Sequence, residues 1–161
     1  MRVIFIVILL SVNCIFAAQV EVKADKFRAS EVEQQGVFTG NVIVTKGEDI
    51  LKSDRLVIYF DKNKNPLKYE ATGSASVKMT MNDLHYYGEG KVLTYEPEET
   101  RYTIRENGFL HEVENDRKVY GDLIVVNQTK GTYEVDSKPS KPVKFIFQVE
   151  EDSEPSPELI K

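Results

Sequence analysis

The sequence predicts an all-β protein in which repeated strand-turn-strand units stack into two facing antiparallel sheets. Three observations carry this reading. Apolar and polar residues alternate with period two over long stretches, the mark of a half-buried strand. Turn-forming residues punctuate the chain at short intervals. A glycine-led segment recurs at Gly40, Gly73 and Gly108, 33 and 35 residues apart.

Taken in order, Met1 and Arg2 precede Val3–Leu10, which holds no polar residue, and a small-residue exit ends in Ala17 and Ala18. A positive start, a short apolar run and a small-residue exit define a secretory signal peptide. The expected leader is residues 1–17, cut after Ala17, and the folded domain is residues 18–149. An uncleaved membrane anchor is the competing reading. Against it, a span needs about 20 apolar residues, whereas Ser11 and Asn13 interrupt this stretch and charge begins at Glu21. The only cysteine, Cys14, lacks the flanking residues of a lipid-attachment box and leaves with the leader. The mature chain then has no disulfide, and its stability must come from packing.

Val20, Val22 and Ala24 alternate with Glu21 and Lys23. Residues 26–35 are rich in Glu, Gln, Ala and Arg, but their apolar positions are too few to define a helix face, so strand plus turn is expected. Phe38, Gly40, Val42 and Val44 form the next alternating run, and Tyr69, Ala71, Gly73, Ala75, Val77 and Met79 the longest. Val143, Phe145, Phe147 and Val149 form the last. Turns are expected at residues 46–49, 61–66, 96–99, 114–117 and 129–131. Residues 150–161 carry Pro155 and Pro157 among acids and read as a disordered acidic tail.

The repeat sets the architecture. Each unit has a glycine-led strand and a second element opened by a small residue and an acid: Ser53-Asp54, Gly88-Glu89 and Gly121-Asp122, with a partial copy at Ala24-Asp25. One hairpin cannot bury its apolar face alone, so neighbours stack. Glycine within a strand permits a sharp bend. Asp25, Asp54, Glu89 and Asp122 read as turn formers accepting backbone hydrogen bonds. Equally spaced corners build two facing sheets with open ends, and the unpaired edge strands there are docking surfaces.

Composition narrows the chemistry. The chain has 161 residues, 41% hydrophobic, with 21 Lys+Arg against 26 Asp+Glu and a net charge of −5. An acidic chain without a basic stripe is a poor match for a phosphate backbone, so no nucleic-acid partner is expected. One Cys and two His are too few for a Cys/His zinc site. His85 and His111 fall on different strands and read as rim residues; no metal or other cofactor is assigned. The acid pairs Glu98-Glu99 and Glu150-Glu151 sit in a turn and in the tail, and nothing places two carboxylates across a cleft. There is no phosphate-binding Gly-Lys-Ser/Thr loop and no serine elbow. No catalytic residue is assigned, and an enzyme is the least favoured class. Lys23, Lys26, Lys46, Lys52 and Arg55 read either as solvated faces or as contacts to lipid phosphates.

Four segments carry a resemblance: Val22-Lys23-Ala24-Asp25-Lys26, Phe38-Thr39-Gly40-Asn41-Val42-Ile43-Val44-Thr45, Ser53-Asp54-Arg55-Leu56 and Ala71-Thr72-Gly73. Together they resemble the OstA-like domain family, and more narrowly its LptA-type periplasmic branch, over roughly Val20 to Val126. Gly88-Glu89 departs from the family's usual Ala-Asp. The resemblance implies a β-jellyroll of two facing, V-shaped antiparallel sheets. It implies a periplasmic protein that binds lipopolysaccharide, with the acyl chains of lipid A between the sheets. It implies protomers joined edge to edge, bridging an anchored jellyroll protein of the inner membrane and the jellyroll of an outer-membrane barrel.

On that reading the acyl chains meet Val20, Val22, Phe38, Val42, Val44, Leu56, Ile58, Tyr69, Ala71, Ala75, Val77, Met79 and Leu110. Burying one CH₂ gains about 0.8 kcal/mol, so an acyl chain of about a dozen carbons gains about 10 kcal/mol gross. A slot continuous through stacked copies would let a guest held that tightly move on. Two alternatives stay open: a membrane-anchored jellyroll of the same pathway (LptC-like), and a structural β module whose apolar residues pack on each other and bind nothing.

Overall fold

The computed structural model describes residues 19–149. The expected leader and acidic tail lie outside the described residues. The described chain is all-β: Val20–Lys23 (β1), Lys26–Ser30 (β2), Gln35–Lys46 (β3), Asp49–Phe60 (β4), Pro66–Met81 (β5), Leu84–Glu96 (β6), Arg101–Glu112 (β7), Arg117–Asn127 (β8), Thr132–Asp136 (β9) and Lys144–Ile146 (β10). Residues 26–35 form a strand and a turn. The last alternating run makes only the three-residue β10, paired with Lys118 to Tyr120 of β8. One turn escaped the sequence reading: Asn82 and Asp83, both left-handed, join β5 to β6.

All pairs are antiparallel, and β3 to β8 pair in chain order. These six strands are long because each crosses a crease. Pairing of β3 with β4 breaks between Thr39 and Val42, that of β5 with β6 between Thr72 and Ala75, and that of β7 with β8 between Arg105 and Gly108. The breaks line up across the sheet and fold it into two layers. Layer one holds β1, residues 42–46, 49–53, 75–81, 84–90, 108–112 and 117–121, and β10. Layer two holds β2, residues 35–39, 55–60, 66–72, 92–96, 101–105 and 123–127, and β9.

The crease corrects the repeat alignment. The residues skipped by the pairing are Gly40-Asn41, Gly73-Ser74 and Glu106-Asn107, all with positive φ. The third unit therefore registers at Glu106, two residues before Gly108. On the neighbouring strands the crease falls at Ser53-Asp54, Gly90-Lys91 and Gly121-Asp122, so Gly88-Glu89 is not the corner. Asp54, Glu89 and Asp122 sit inside long strands rather than in turns. Asp25 lies over Gly40 and Asp54 over Gly73, where a β-carbon would collide with the carboxylate. In the third unit Lys91 replaces the acid and Glu106 the glycine, and the two form an ion pair at 3.5 Å. Of the expected turn-forming acids, Asp122 accepts a backbone N–H, from Lys138 at 3.2 Å.

The core lies between the layers. Val42 and Ala75 of layer one and Leu56, Ala71 and Ile124 of layer two are each 1% exposed. Packing of inward rows across the crease, rather than any single hairpin, holds the fold together.

Candidate functional site

Two inward rows of layer two are set by strand register. One runs Phe38, Leu56, Ala71, Leu93, Ile104, Ile124; the next runs Ile58, Tyr69, Tyr95, Tyr102, Val126. The tyrosines stack as a ladder, with ring centroids 6.0 Å apart for Tyr69–Tyr95 and 4.4 Å for Tyr95–Tyr102. Opposite them, layer one presents Val44, Leu51 and Val77 in one row. Alanine at position 71 leaves room where a larger side chain would close the gap.

The result is a cavity of about 270 Å³ between the layers, lined by β1 and β3–β7. Its wall is hydrocarbon and aromatic, and Lys46, Asp49, Pro66 and Pro97 at the hairpin ends are its strand-end lining. Burial pushes the Tyr102 hydroxyl well above its ordinary range and the Tyr69 hydroxyl up as well, so both stay neutral. At the outer end of the ladder Arg101 pairs with Glu96 at 2.6 Å and Glu99 at 2.9 Å. The arrangement has the chemistry of an apolar container: a greasy wall, neutral phenols and charges confined to the ends of the strands.

Of the residues proposed from sequence, Val20, Val44, Leu56, Tyr69, Ala71, Val77 and Met79 line this cavity. Val42, Ile58, Ala75 and Leu110 are buried in the adjoining core, and Val22 and Phe38 pack against it. The sequence reading missed Ile50, Leu51, Leu93, Tyr95, Tyr102 and Ile104. The signal for Leu93-Thr94-Tyr95 and Tyr102-Thr103-Ile104 was present as short period-two alternation, in register with Tyr69 and Ala71. His85 and His111 take carboxylate partners, Glu114 at 2.5 Å and Asp116 at 2.8 Å, away from the cavity. Among the described residues no cluster has the makeup of a metal site.

Fold and cleft together define a class: jellyroll-like proteins in which one creased antiparallel sheet closes on an apolar interior. Residues 21–132 match the family described as LptA/(LptD N-terminal domain) LPS transport protein, and the chain belongs to that family. A similar solved structure is that of LptH from Pseudomonas aeruginosa, described as the LptA homologous periplasmic component of the conserved lipopolysaccharide transport device. It matches with a TM-score of 0.71 at 16% identity, over 82% of this chain and 96% of that one, a likeness of fold. No curated protein sequence matches this chain at a significant level.

Proposed function

We propose that this protein is a periplasmic lipopolysaccharide carrier that shelters acyl chains between its two layers on the way from the inner to the outer membrane. The observation that carries this reading is the apolar cavity between the layers, lined by Leu51, Val77, Tyr102 and their neighbours. Family membership supplies the lipid class. The reading places residues 1–17 as a cleaved leader, with the mature chain in the periplasm. Its partners are an anchored inner-membrane jellyroll, the jellyroll of an outer-membrane barrel and further copies of itself. The edge strands β1, β2, β9 and β10 each pair on one side only among the described residues, which suits strand addition.

Delipidated protein titrated with labelled lipopolysaccharide tests it. Saturable binding is expected, and Val77→Asp, which sets a charge in the cavity wall, weakens it at least tenfold. Thr72→Asp, on the opposite strand face, leaves it within about twofold, since a tenfold loss corresponds to about 1.4 kcal/mol. Absence of saturable binding by the folded wild-type protein overturns the reading in favour of a structural module. An intact Met1 on protein isolated from cells overturns the soluble bridge in favour of an anchored one.

A further inference from the structure

The cleft does not run through the stack. Its lining ends at β7, and beyond it the layers touch. Glycines of layer one make that contact possible. A β-carbon on Gly88 would lie 3.0 Å from Ile104 Cδ1, and one on Gly90 would lie 2.7 Å from Ile104 Cγ2. A β-carbon on Gly121 would lie 2.6 Å from Val135 Cγ1. Side chains of layer two thus occupy the space the glycines leave. The slot expected to be continuous is hollow from β1 to β7 and filled toward β9.

A polar cluster bridges the layers on this filled side. The Tyr86 hydroxyl, on layer one, donates to Glu112 Oε2 at 3.4 Å and meets the Tyr133 hydroxyl of layer two at 3.5 Å. The Glu112 side chain is 11% exposed; Asn115 donates to it and Arg117 lies 3.7 Å away. In the cluster's own row Glu112 is followed by Arg117; the neighbouring row, nearer the crease, stays apolar, with Leu110, Val119 and Phe145 in register on layer one and Ile124 paired with Val135 on layer two. A buried carboxylate and two hydroxyls therefore stand beside an apolar seam, where the hydrocarbon wall of the cleft gives out.

We propose that Tyr86, Glu112 and Tyr133 form the end-stop of the lipid slot: they fix how far an acyl chain penetrates, and they must part before a chain reaches the β9–β10 edge. This rests on the cleft being an acyl site. Methylene groups laid against Glu112 and the tyrosine hydroxyls would strip them of hydrogen bonds without replacing them. The apolar seam of Ile104 and Val135 carries no such penalty, because it exchanges one hydrocarbon contact for another. Tyr133 is the movable member. It is half-exposed and lies on a five-residue edge strand held only by β8 among the described residues.

The test uses the secreted protein, delipidated and loaded with a saturated fatty acid bearing a terminal diazirine, with labelled residues mapped by mass spectrometry after illumination. In the wild type, label is expected on Leu51, Val77 and Tyr102 and not on Val119, Val135 or Phe145. In Tyr133→Ala, label at Val119 and Phe145 should rise severalfold, while retained label at Leu51 reports an intact cleft. Tyr86→Phe, which keeps the ring and loses the hydroxyl, should shift label in the same direction. Label confined to the cleft in both variants overturns the end-stop and leaves the carrier reading standing. Label at Phe145 in the wild type also overturns it. No label at Leu51, Val77 or Tyr102 in the wild type overturns the acyl site itself.

Discussion

Gly40 and Gly73 are needed at the crease for two separate reasons. Their φ angles are +82° and +77°, and a β-carbon on either would strike the carboxylate of Asp25 or Asp54. Gly47, at φ +61°, has the conformational requirement without the neighbour. Left-handed backbone costs an L residue roughly 1–2 kcal/mol. Gly47→Ala is therefore expected to lose about 1 kcal/mol in urea unfolding, and Gly40→Ala or Gly73→Ala at least about 2 kcal/mol. Asp116 offers a second residue-scale test. Lys118, then His111, hold its carboxyl down to about 2, from an ordinary 3.8. A depressed folded value adds stability above pH 3.8 that is lost as pH falls toward 2. Asp116→Asn should flatten the stability profile in that window, measured by denaturant titration at several pH values. His85 runs the other way. The hydrogen bond that its ring Nδ1–H donates to the Glu114 carboxylate raises its pKa above 6.5, so its contribution is complete below 6.5 and disappears as pH rises through the folded value. An NMR titration of the His85 ring should give a midpoint above 6.5, and His85 titrating at or below 6.5 would contradict the pairing.

The elements explain which parts of the cleft could be read from sequence. On β3, β5 and β7 the crease inserts two residues, so period two survives it: Phe38 and Val42, Ala71 and Ala75, and Ile104 and Gly108 face the same way. The runs on β3 and β5 were legible and yielded Val44, Tyr69, Val77 and Met79; on β7, where Glu106 stands in place of the glycine, Tyr102 and Ile104 were missed. On β4, β6 and β8 the crease adds a single residue and the alternation changes phase. Leu51 and Ser53 face inward on one side of it and Leu56 and Ile58 on the other; Gly88 and Gly90 do so before Leu93 and Tyr95. A reader following strict alternation loses the inward face there, which is why Leu51 and Leu93 were missed. The third repeat was misaligned because its glycine is replaced by Glu106, with Lys91 opposite as the compensating charge. Lys91→Asp should therefore destabilise the fold by about 0.5–1 kcal/mol through like-charge repulsion at an exposed site. Adding Glu106→Gly rebuilds the acid-over-glycine crossing of the first two units and should recover the loss. A double-mutant cycle with no coupling would contradict this account.

At the scale of the whole molecule, the two ends of the stack differ. The end nearer β1 holds a cavity; the end nearer β9 is filled by Ile104 and Val135 and crossed by tyrosines. Among the described residues each layer is nevertheless eight strands wide, counting β1 and β10 in one and β2 and β9 in the other. That even number has a consequence of parity. With every neighbour antiparallel, the first and last strands of each layer point in opposite directions. A second copy displaced along the stack without rotation thus brings β1 beside β10 and β2 beside β9 with chains running oppositely, and both ladders continue in the sense they already have. The operation is a pure repeat that never closes on itself, so nothing in the geometry sets a final length. Light scattering should show mean mass climbing with concentration instead of levelling at a dimer, and a proline placed at Phe145 should halt the climb while leaving the monomer folded.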